Sequence, residues 1–262
     1  MIHTLSCNAM IAKGFFKLIP VYSPLIYKIA SRYVNRFNGD NNSDFASNGE
    51  SRLLLSVLRK LEGGVIFDIG ANIGEWSKYC LKISPLVELH LFEPSLFTYN
   101  ELLKNTWSQN VHLNNFGLGE KEEVLSLHIF DDASGMNSLH ARKGIEQLQI
   151  TKTESVKICT IDNYCNQNSI QKIDFMKIDV EGHDLWVLKG AKQMMAEKRI
   201  SMIQFEYGGC NLDARVYLGD IWELLQTYGY KLYKIHPNKL HYIKAYQQEL
   251  EVFKYSNWVA LL

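Results

Sequence analysis

Short apolar runs alternate along this chain with stretches whose apolar residues recur every three or four positions, and that alternation predicts strands separated by helices. Leu53, Leu54, Val57, Leu58 and Leu61 recur at helical spacing after a Ser47-Asn48-Gly49-Glu50 entry, and Gly63-Gly64 ends that helix. Val65 to Ile69 is a buried-strand run carrying Asp68 near its end; Gly70 to Gly74 is a tight turn, and Trp76 to Ile83 is helical. A second strand ends at Phe92-Glu93-Pro94, Ser95 caps a helix through Lys104, and Val111 to Phe116 is a third strand with an exit turn at Gly117. Strand and helix repeated in this way imply a parallel sheet with right-handed crossovers.

The pattern then changes. Val124 to Phe130 and Ser155 to Ile161 alternate like antiparallel strands around a polar loop, Asp131 to Gly144, which reads as a lid or binding loop. Ile173 to Ile178 restores the buried parallel theme; Asp184 to Glu197 reads as a helix, Ile200 to Glu206 as a strand and Ala214 to Tyr228 as a helix ended by Gly229. Tyr230 to Ile235 and Trp258 to Leu262 read as a closing antiparallel pair. Residues 1–45 read as an N-terminal helical extension and linker, and residues 46–262 as the main domain. The extension is aromatic and basic, with Lys13, Lys17, Lys28 and Arg32; its longest uncharged run, Leu18 to Tyr27, falls well short of the about 20 residues needed to span a bilayer. It admits packing on its own domain, packing on a twin subunit in a homodimer, or contact with a membrane surface.

Composition narrows the classes. The 262 residues are 47% hydrophobic with 28 basic and 28 acidic side chains, so no global field argues for a nucleic-acid partner. Five cysteines occur without a CxxC pair or zinc spacing, which fits reduced thiols in the cytoplasm. Histidines such as His112, His128, His236 and His241 read as surface or satisfied core residues, not ligands.

The candidate chemistry lies at four strand ends that carry acids: Asp68, Glu93, Asp179 and Glu206. In open α/β sheets ligands bind outside the carboxyl ends of strands. A strand–turn–helix also offers backbone N–H groups and a positive helix end. Glu93, about 25 residues after Asp68, stands where an acid grips a ribose diol. A dinucleotide or S-adenosylmethionine would suit that spacing. A pyrophosphate loop wants GxGxxG, whereas this one places Ala71 and Asn72 between Gly70 and Gly74 and an acid ahead of them. An acid there repels pyrophosphate and favours a sulfonium or ammonium group, so S-adenosylmethionine fits better than NAD.

Asp68-Ile69-Gly70-Ala71-Asn72-Ile73-Gly74, Phe92-Glu93-Pro94, Thr160-Ile161-Asp162 and Met176-Lys177-Ile178-Asp179-Val180-Glu181-Gly182-His183, followed by Val187-Leu188-Lys189-Gly190-Ala191, resemble the FkbM family of class I S-adenosylmethionine-dependent methyltransferases. The chain departs from the family pattern at Asp184, where Glu is usual. The resemblance implies a Rossmann-like α/β fold: a mostly parallel seven-stranded sheet with helices on both faces and a strand pair inserted between strands three and four. It implies O-methylation of a hydroxyl on a sugar, glycan or natural-product precursor, with S-adenosylhomocysteine as product. It also implies that Asp68, Gly70, Ala71, Asn72 and Gly74 line the methionine end of the cofactor, with Glu93 and Pro94 at the ribose. Asn115, Phe116 and Gly117 would then lie near the adenine, and Asp179 beside the methyl donor and the acceptor.

Methyl transfer to oxygen needs alignment and removal of a proton. His183 is the best base by ordinary pKa, and Asp179, Glu181 and Glu206 are the other candidates. A divalent cation shared by these four is a further reading, although no metal site is predicted. Against these stand plainer readings: Glu181 and His183 as helix-cap residues, Glu206 as a turn acid, Asp162 as an N-cap, and Ser138 as turn chemistry. An NAD(P)-dependent oxidoreductase and a non-catalytic binding module of the same fold are the alternative functions.

Overall fold

The computed structural model describes residues 22–130, 135–142 and 150–262. The described residues divide into two units, one ending at Asn38 and the other running from Gly39 to Leu262. The described part of the first is the helix Pro24–Asn38, along which Tyr33 and Phe37 stack with ring centroids 6.3 Å apart. No helix among the described residues is long and apolar enough to cross a membrane.

The second unit is built on eleven described strands: β1 Val65–Ile69, β2 Glu88–Phe92, β3 Val111–Asn114, β4 Gly117–Leu118, β5 Glu123–Ile129, β6 Lys152–Cys159, β7 Phe175–Ile178, β8 Met202–Tyr207, β9 Lys231–His236, β10 Lys239–Tyr242 and β11 Ser256–Leu261. Eight form the central sheet in the order β10-β9-β11-β8-β7-β1-β2-β3. The run from β3 to β8 is parallel, while β11 pairs antiparallel with both β8 and β9. The sheet has eight strands, one more than expected, because β9 turns back into the hairpin strand β10. The chain runs outward from β1 through β2 to β3, and from β7 to β8 on the other side. The order therefore reverses between β1 and β7, the place where open α/β sheets bind ligands.

Alternation along the strands divides two apolar layers. Phe67, Ile69, Met176, Ile178 and Phe205 pack with Leu185, Leu188, Ile221 and Leu225 on one face. Ile66, Leu89, Leu91, Phe175 and Val259 pack with Leu53, Leu54, Leu58 and Cys80 on the other. Helices thus cover both faces, as a parallel sheet requires. The inserted pair β5 and β6 is antiparallel and, with β4, makes a separate three-stranded sheet.

Two boundaries differ from the sequence reading, and one cap serves a different helix from its own. Asp184 to Glu197 is two helices, Asp184–Lys189 and Lys192–Ala196, broken at Gly190. A Cβ on Gly190 would stand 2.0 Å from the Gly119 carbonyl oxygen, so close packing against the exit of β4 fixes this position. Asp162 does not cap its own helix; Thr160 does, and the Asp162 carboxylate accepts the Gln193 and Met194 N–H groups at 2.8 and 3.0 Å, capping the second of those helices. The segment from Ala214 to Tyr228 is likewise interrupted. The helix Gly209–Ala214 ends at Arg215, whose φ of 59° is left-handed, and Leu218–Thr227 starts afresh.

Candidate active site

A cleft opens at the point where the strand order reverses. Its floor is the end of β1 and β2 (Ile69, Gly70, Asn72, Phe92, Glu93, Pro94), and one side is Gly117 and Leu118. The other side is the segment after β7: Asp179, Val180, Glu181 and His183. Leu127 of β5 with Asn137 and Leu139 of the following loop closes the third side. The long polar loop thus contributes to the cleft through its described residues 135–142; residues 131–134 and 143–149 lie outside the described residues.

The turn after β1 is stretched across the neighbouring strands. Gly70 N–H and Ala71 N–H both donate to the Phe92 carbonyl, at 2.9 and 3.0 Å. Asn72 N–H donates to Glu93 Oε2 at 3.0 Å, Ile73 N–H to Asn72 Oδ1 at 2.7 Å, and Gly74 N–H to the Ala71 carbonyl at 2.8 Å. The free amides expected at this turn are therefore already engaged, and nothing in it can cradle a phosphate in the manner of a pyrophosphate loop. Gly70 has φ of 84°, and a Cβ there would lie 1.8 Å from the Asp179 carbonyl oxygen. Only glycine lets the ends of β1 and β7 approach this closely. Gly74, also left-handed, faces Leu102 and Trp107 instead of the cleft.

Glu93 is buried, and each carboxylate oxygen takes a backbone N–H, Oε1 from Ser95 at 2.9 Å and Oε2 from Asn72. Burial pushes its pKa up to about 7 despite those bonds. A carboxylate has about four lone-pair positions, so two acceptors remain for a ligand. Asp68 does not line the cleft. It lies beneath the turn, its Oδ2 accepting from the Ser77 hydroxyl at 2.7 Å, while its Oδ1 is buried with no hydrogen-bond partner among the described residues. Burial raises its pKa and the nearby Lys177 opposes the rise. Ala71, Asn115 and Phe116 also stand behind the lining. The Asn115 amide donates to the Glu93 and Pro94 carbonyls, and Phe116 packs on Phe92.

Beneath the cleft a single buried cation serves several acids. Lys177 Nζ is 2.7 Å from Asp179 Oδ2, and its charge also acts on Asp68, Glu206 and Glu50, which together hold its pKa above the ordinary value. Glu206 does not line the cleft; it accepts from the Tyr255 hydroxyl at 2.9 Å, and burial and Asp179 drive its pKa up. Glu50, in the first turn of its helix, reaches across to Gln204 on β8 at 2.6 Å and Asn257 on β11 at 3.1 Å.

Glu181 holds the wall nearest Asp179. Its φ of 51° is left-handed and uncommon for a residue with a Cβ. Oε2 meets Arg142 Nη1 at 2.6 Å, and the same guanidinium lies 3.3 Å from Asp213 through Nε. Burial and Asp179 raise the Glu181 pKa to about 7, with Arg142 holding it down. The Ser138 hydroxyl donates to the Glu181 carbonyl at 2.8 Å, so this loop serine positions the wall and is more than turn chemistry.

His183 is different from what its ordinary pKa suggests. It is buried, stacked on Trp186 at 4.9 Å and 9°, with Nδ1 3.2 Å from His140 Nε2. Burial and His140 depress its pKa to about 3, which makes it a weak proton acceptor. Among the other acids, Asp179 pairs with Lys177, Glu181 pairs with Arg142 and Glu206 accepts from Tyr255. Arg142, Asp213, His140 and Lys177 were not singled out from sequence. Lys177 alone had a signal, as a basic residue well inside a buried-strand run, between Met176 and Ile178.

Residues 68–232, more than half of the chain, match the family described as the methyltransferase FkbM domain. Among characterised proteins the chain is similar to the hexuronic acid methyltransferase AglP of Haloferax volcanii, at 25% identity over 72% of this chain and 77% of that one. It is similar to the 2-O-methyltransferase NoeI of Sinorhizobium fredii, at 24% identity over 68% and 76%. It is also similar to the 31-O-demethyl-FK506 methyltransferase FkbM of Streptomyces tacrolimicus, at 25% identity over 64% and 73%.

Proposed function

Since the chain belongs to the FkbM methyltransferase domain family, we propose that it transfers the methyl group of S-adenosylmethionine to a hydroxyl of a sugar or glycan precursor, with Glu181 as the proton acceptor. The family replaces the dinucleotide oxidoreductase reading, and the engaged amides of the Gly70–Gly74 turn agree with that. Bound S-adenosylmethionine supplies an electrophilic methyl group on a sulfonium. The residues present fit such a cofactor: the turn offers no phosphate cradle, the cleft wall is acidic, and Glu93 keeps two acceptor positions for a ribose diol. Gly70, Asn72, Glu93, Pro94, Gly117 and Asp179 would hold it, and Asp68, Ala71, Gly74, Asn115 and Phe116 would shape the turn and strand ends from behind.

The observation that carries the catalytic assignment is the Glu181 carboxylate, exposed to the cleft with its pKa raised to about 7. A base poised near the working pH is the most effective one. Arg142 occupies Oε2 and leaves Oε1 for the acceptor hydroxyl. When that oxygen takes the proton, Arg142 keeps its charge partner in Asp213. Asp179, fixed by Lys177, is held beside the same space to orient the acceptor. A sugar acceptor is supported by the names of the relatives AglP and NoeI, a hexuronic acid methyltransferase and a 2-O-methyltransferase. The free thiols of Cys80, Cys159, Cys165 and Cys210 support a cytoplasmic setting.

The test is a calorimetric titration followed by an acceptor screen. S-adenosylhomocysteine should bind with one site per chain and NAD should not. With radiolabelled S-adenosylmethionine, label should enter hexuronic-acid or other hydroxyl-bearing glycans in the wild type and not in Glu181→Gln. Binding of NAD alone would overturn the cofactor assignment. Cofactor binding with no transfer to any hydroxyl acceptor would favour the non-catalytic module.

A further inference from the structure

We propose that Glu88, His90 and His112 form a binding site for one divalent transition-metal ion of the zinc class, at the β3 edge of the central sheet and outside the methyl-transfer cleft. Alternation along β2 puts Glu88 and His90 on one face of the sheet. The parallel register sets His112 of β3 directly beside His90. One ligand atom from each of the three residues lies within 4.8 Å of the others. Glu88 Oε1 is 3.2 Å from His90 Nε2 and 3.1 Å from His112 Nε2. Two donors bound tetrahedrally to zinc at about 2.0–2.1 Å stand about 3.3 Å apart, so both pairs already match an edge of such a site. None of the three lines the cleft.

A second, independent observation points the same way. The His90 ring is buried, and its inner nitrogen, Nδ1, is 2.8 Å from the Tyr164 hydroxyl. Metal-bound imidazoles characteristically use the other ring nitrogen on such an outer partner, which fixes the tautomer and the ring's aim. With Nδ1–H donated to Tyr164, the Nε2 lone pair faces Glu88 and His112.

The other two ligands are placed for exchange with solvent. The side chains of Glu88 and His112 are 44% and 47% exposed, which gives the ion a way in and leaves room for water as a fourth ligand. His112 and His90 stack at 4.5 Å and 14°. Parallel rings cannot both aim a lone pair at one ion, so binding turns the exposed His112 ring while buried His90 stays fixed. Two imidazoles and one carboxylate select zinc, cobalt or nickel over magnesium and calcium, which take all-oxygen shells. The ion would tie the edge strand β3 to β2.

The competing account is that Glu88 merely accepts two imidazole N–H groups. Untagged full-length protein, stripped with chelator, separates the two. Titration with Co²⁺ should give the visible absorption of a low-coordinate N/O site, and Zn²⁺ should displace it at one equivalent per chain while Mg²⁺ does not. Affinity should fall at least 100-fold in His112→Ala, and about 10- to 100-fold in Tyr164→Phe. S-adenosylhomocysteine affinity should be unchanged in His112→Ala, which also shows that the variant is folded. Glu88→Gln, a second exposed change, should weaken the metal alone. Absence of stoichiometric binding would overturn the proposal, and so would wild-type affinity in His112→Ala.

Discussion

The two ends of the cleft are made in different ways. At the β1 and β2 end, position comes from backbone: Gly70, Ala71 and Asn72 are pinned to the Phe92 carbonyl and the Glu93 carboxylate within some twenty residues of sequence. At the β7 end, position comes from side chains drawn from far apart. Glu181 is held by Arg142 and Ser138 of the long loop, Arg142 by Asp213 beyond β8, and Asp179 by Lys177. The first kind of construction suits a constant ligand. The second can change its pocket by substituting a loop residue while the strands stay as they are.

The sharpest break of this contrast is Gly70→Ala. The new Cβ would meet the Asp179 carbonyl oxygen at 1.8 Å on a backbone with φ of 84°. Strain and collision fall on the junction that both ends share. Binding of S-adenosylhomocysteine by calorimetry should be lost, and melting should show destabilisation of several kcal/mol. Wild-type affinity in this variant would mean that the turn is not the cofactor's seat.

The next effect is Lys177→Met. This swap keeps bulk while leaving Asp179, Asp68, Glu206 and Glu50 without their shared cation. Removing one partner from a buried ion pair costs about 3–5 kcal/mol, to be read from denaturant unfolding. If instead stability is unchanged and only transfer is lost, Lys177 belongs to the acceptor end alone.

What could be read from the sequence follows the same division. The turn after Asp68 and the parallel strands joined by helices are encoded locally, in glycines and apolar runs, so they were legible. Asp68 was legible as an acid but not as one buried under the turn on Ser77, because its burial depends on the packing of the helix Glu75–Ile83. Arg142 was illegible: its partners lie 39 residues away at Glu181 and further still at Asp213, and no local pattern marks the pairing. The environment of His183 was illegible for a related reason. Its ordinary pKa belongs to water, whereas Trp186, His140 and burial set the value it has here.

The two candidate bases can be compared directly. Glu181→Gln should lower kcat by about 10²–10⁴ with S-adenosylhomocysteine affinity preserved. In the wild type the active base is the ionised form, so kcat/KM should rise with pH and level off above about 7, the Glu181 value. Arg142 lowers that pKa, so Arg142→Met should move the rising limb to higher pH. A His183→Asn variant should retain the limb near 7. Loss of that limb in His183→Asn, with its retention in Glu181→Gln, would return the role to the imidazole.

The smallest effect sharpens the contrast most finely. Ser138→Ala removes one hydrogen bond, 2.8 Å from hydroxyl to the Glu181 carbonyl, and also the acceptor for His140 N–H at 3.0 Å. A bond of this kind is worth about 1 kcal/mol. The serine touches neither the turn nor Glu93, so cofactor affinity should hold. Glu181, no longer braced in its left-handed conformation, should align the acceptor less well, and kcat should drop several-fold with a similar fall in kcat/KM. An equal loss in cofactor affinity would show that the side-chain-built wall and the backbone-built turn move as one piece, and would end the division between the two ends.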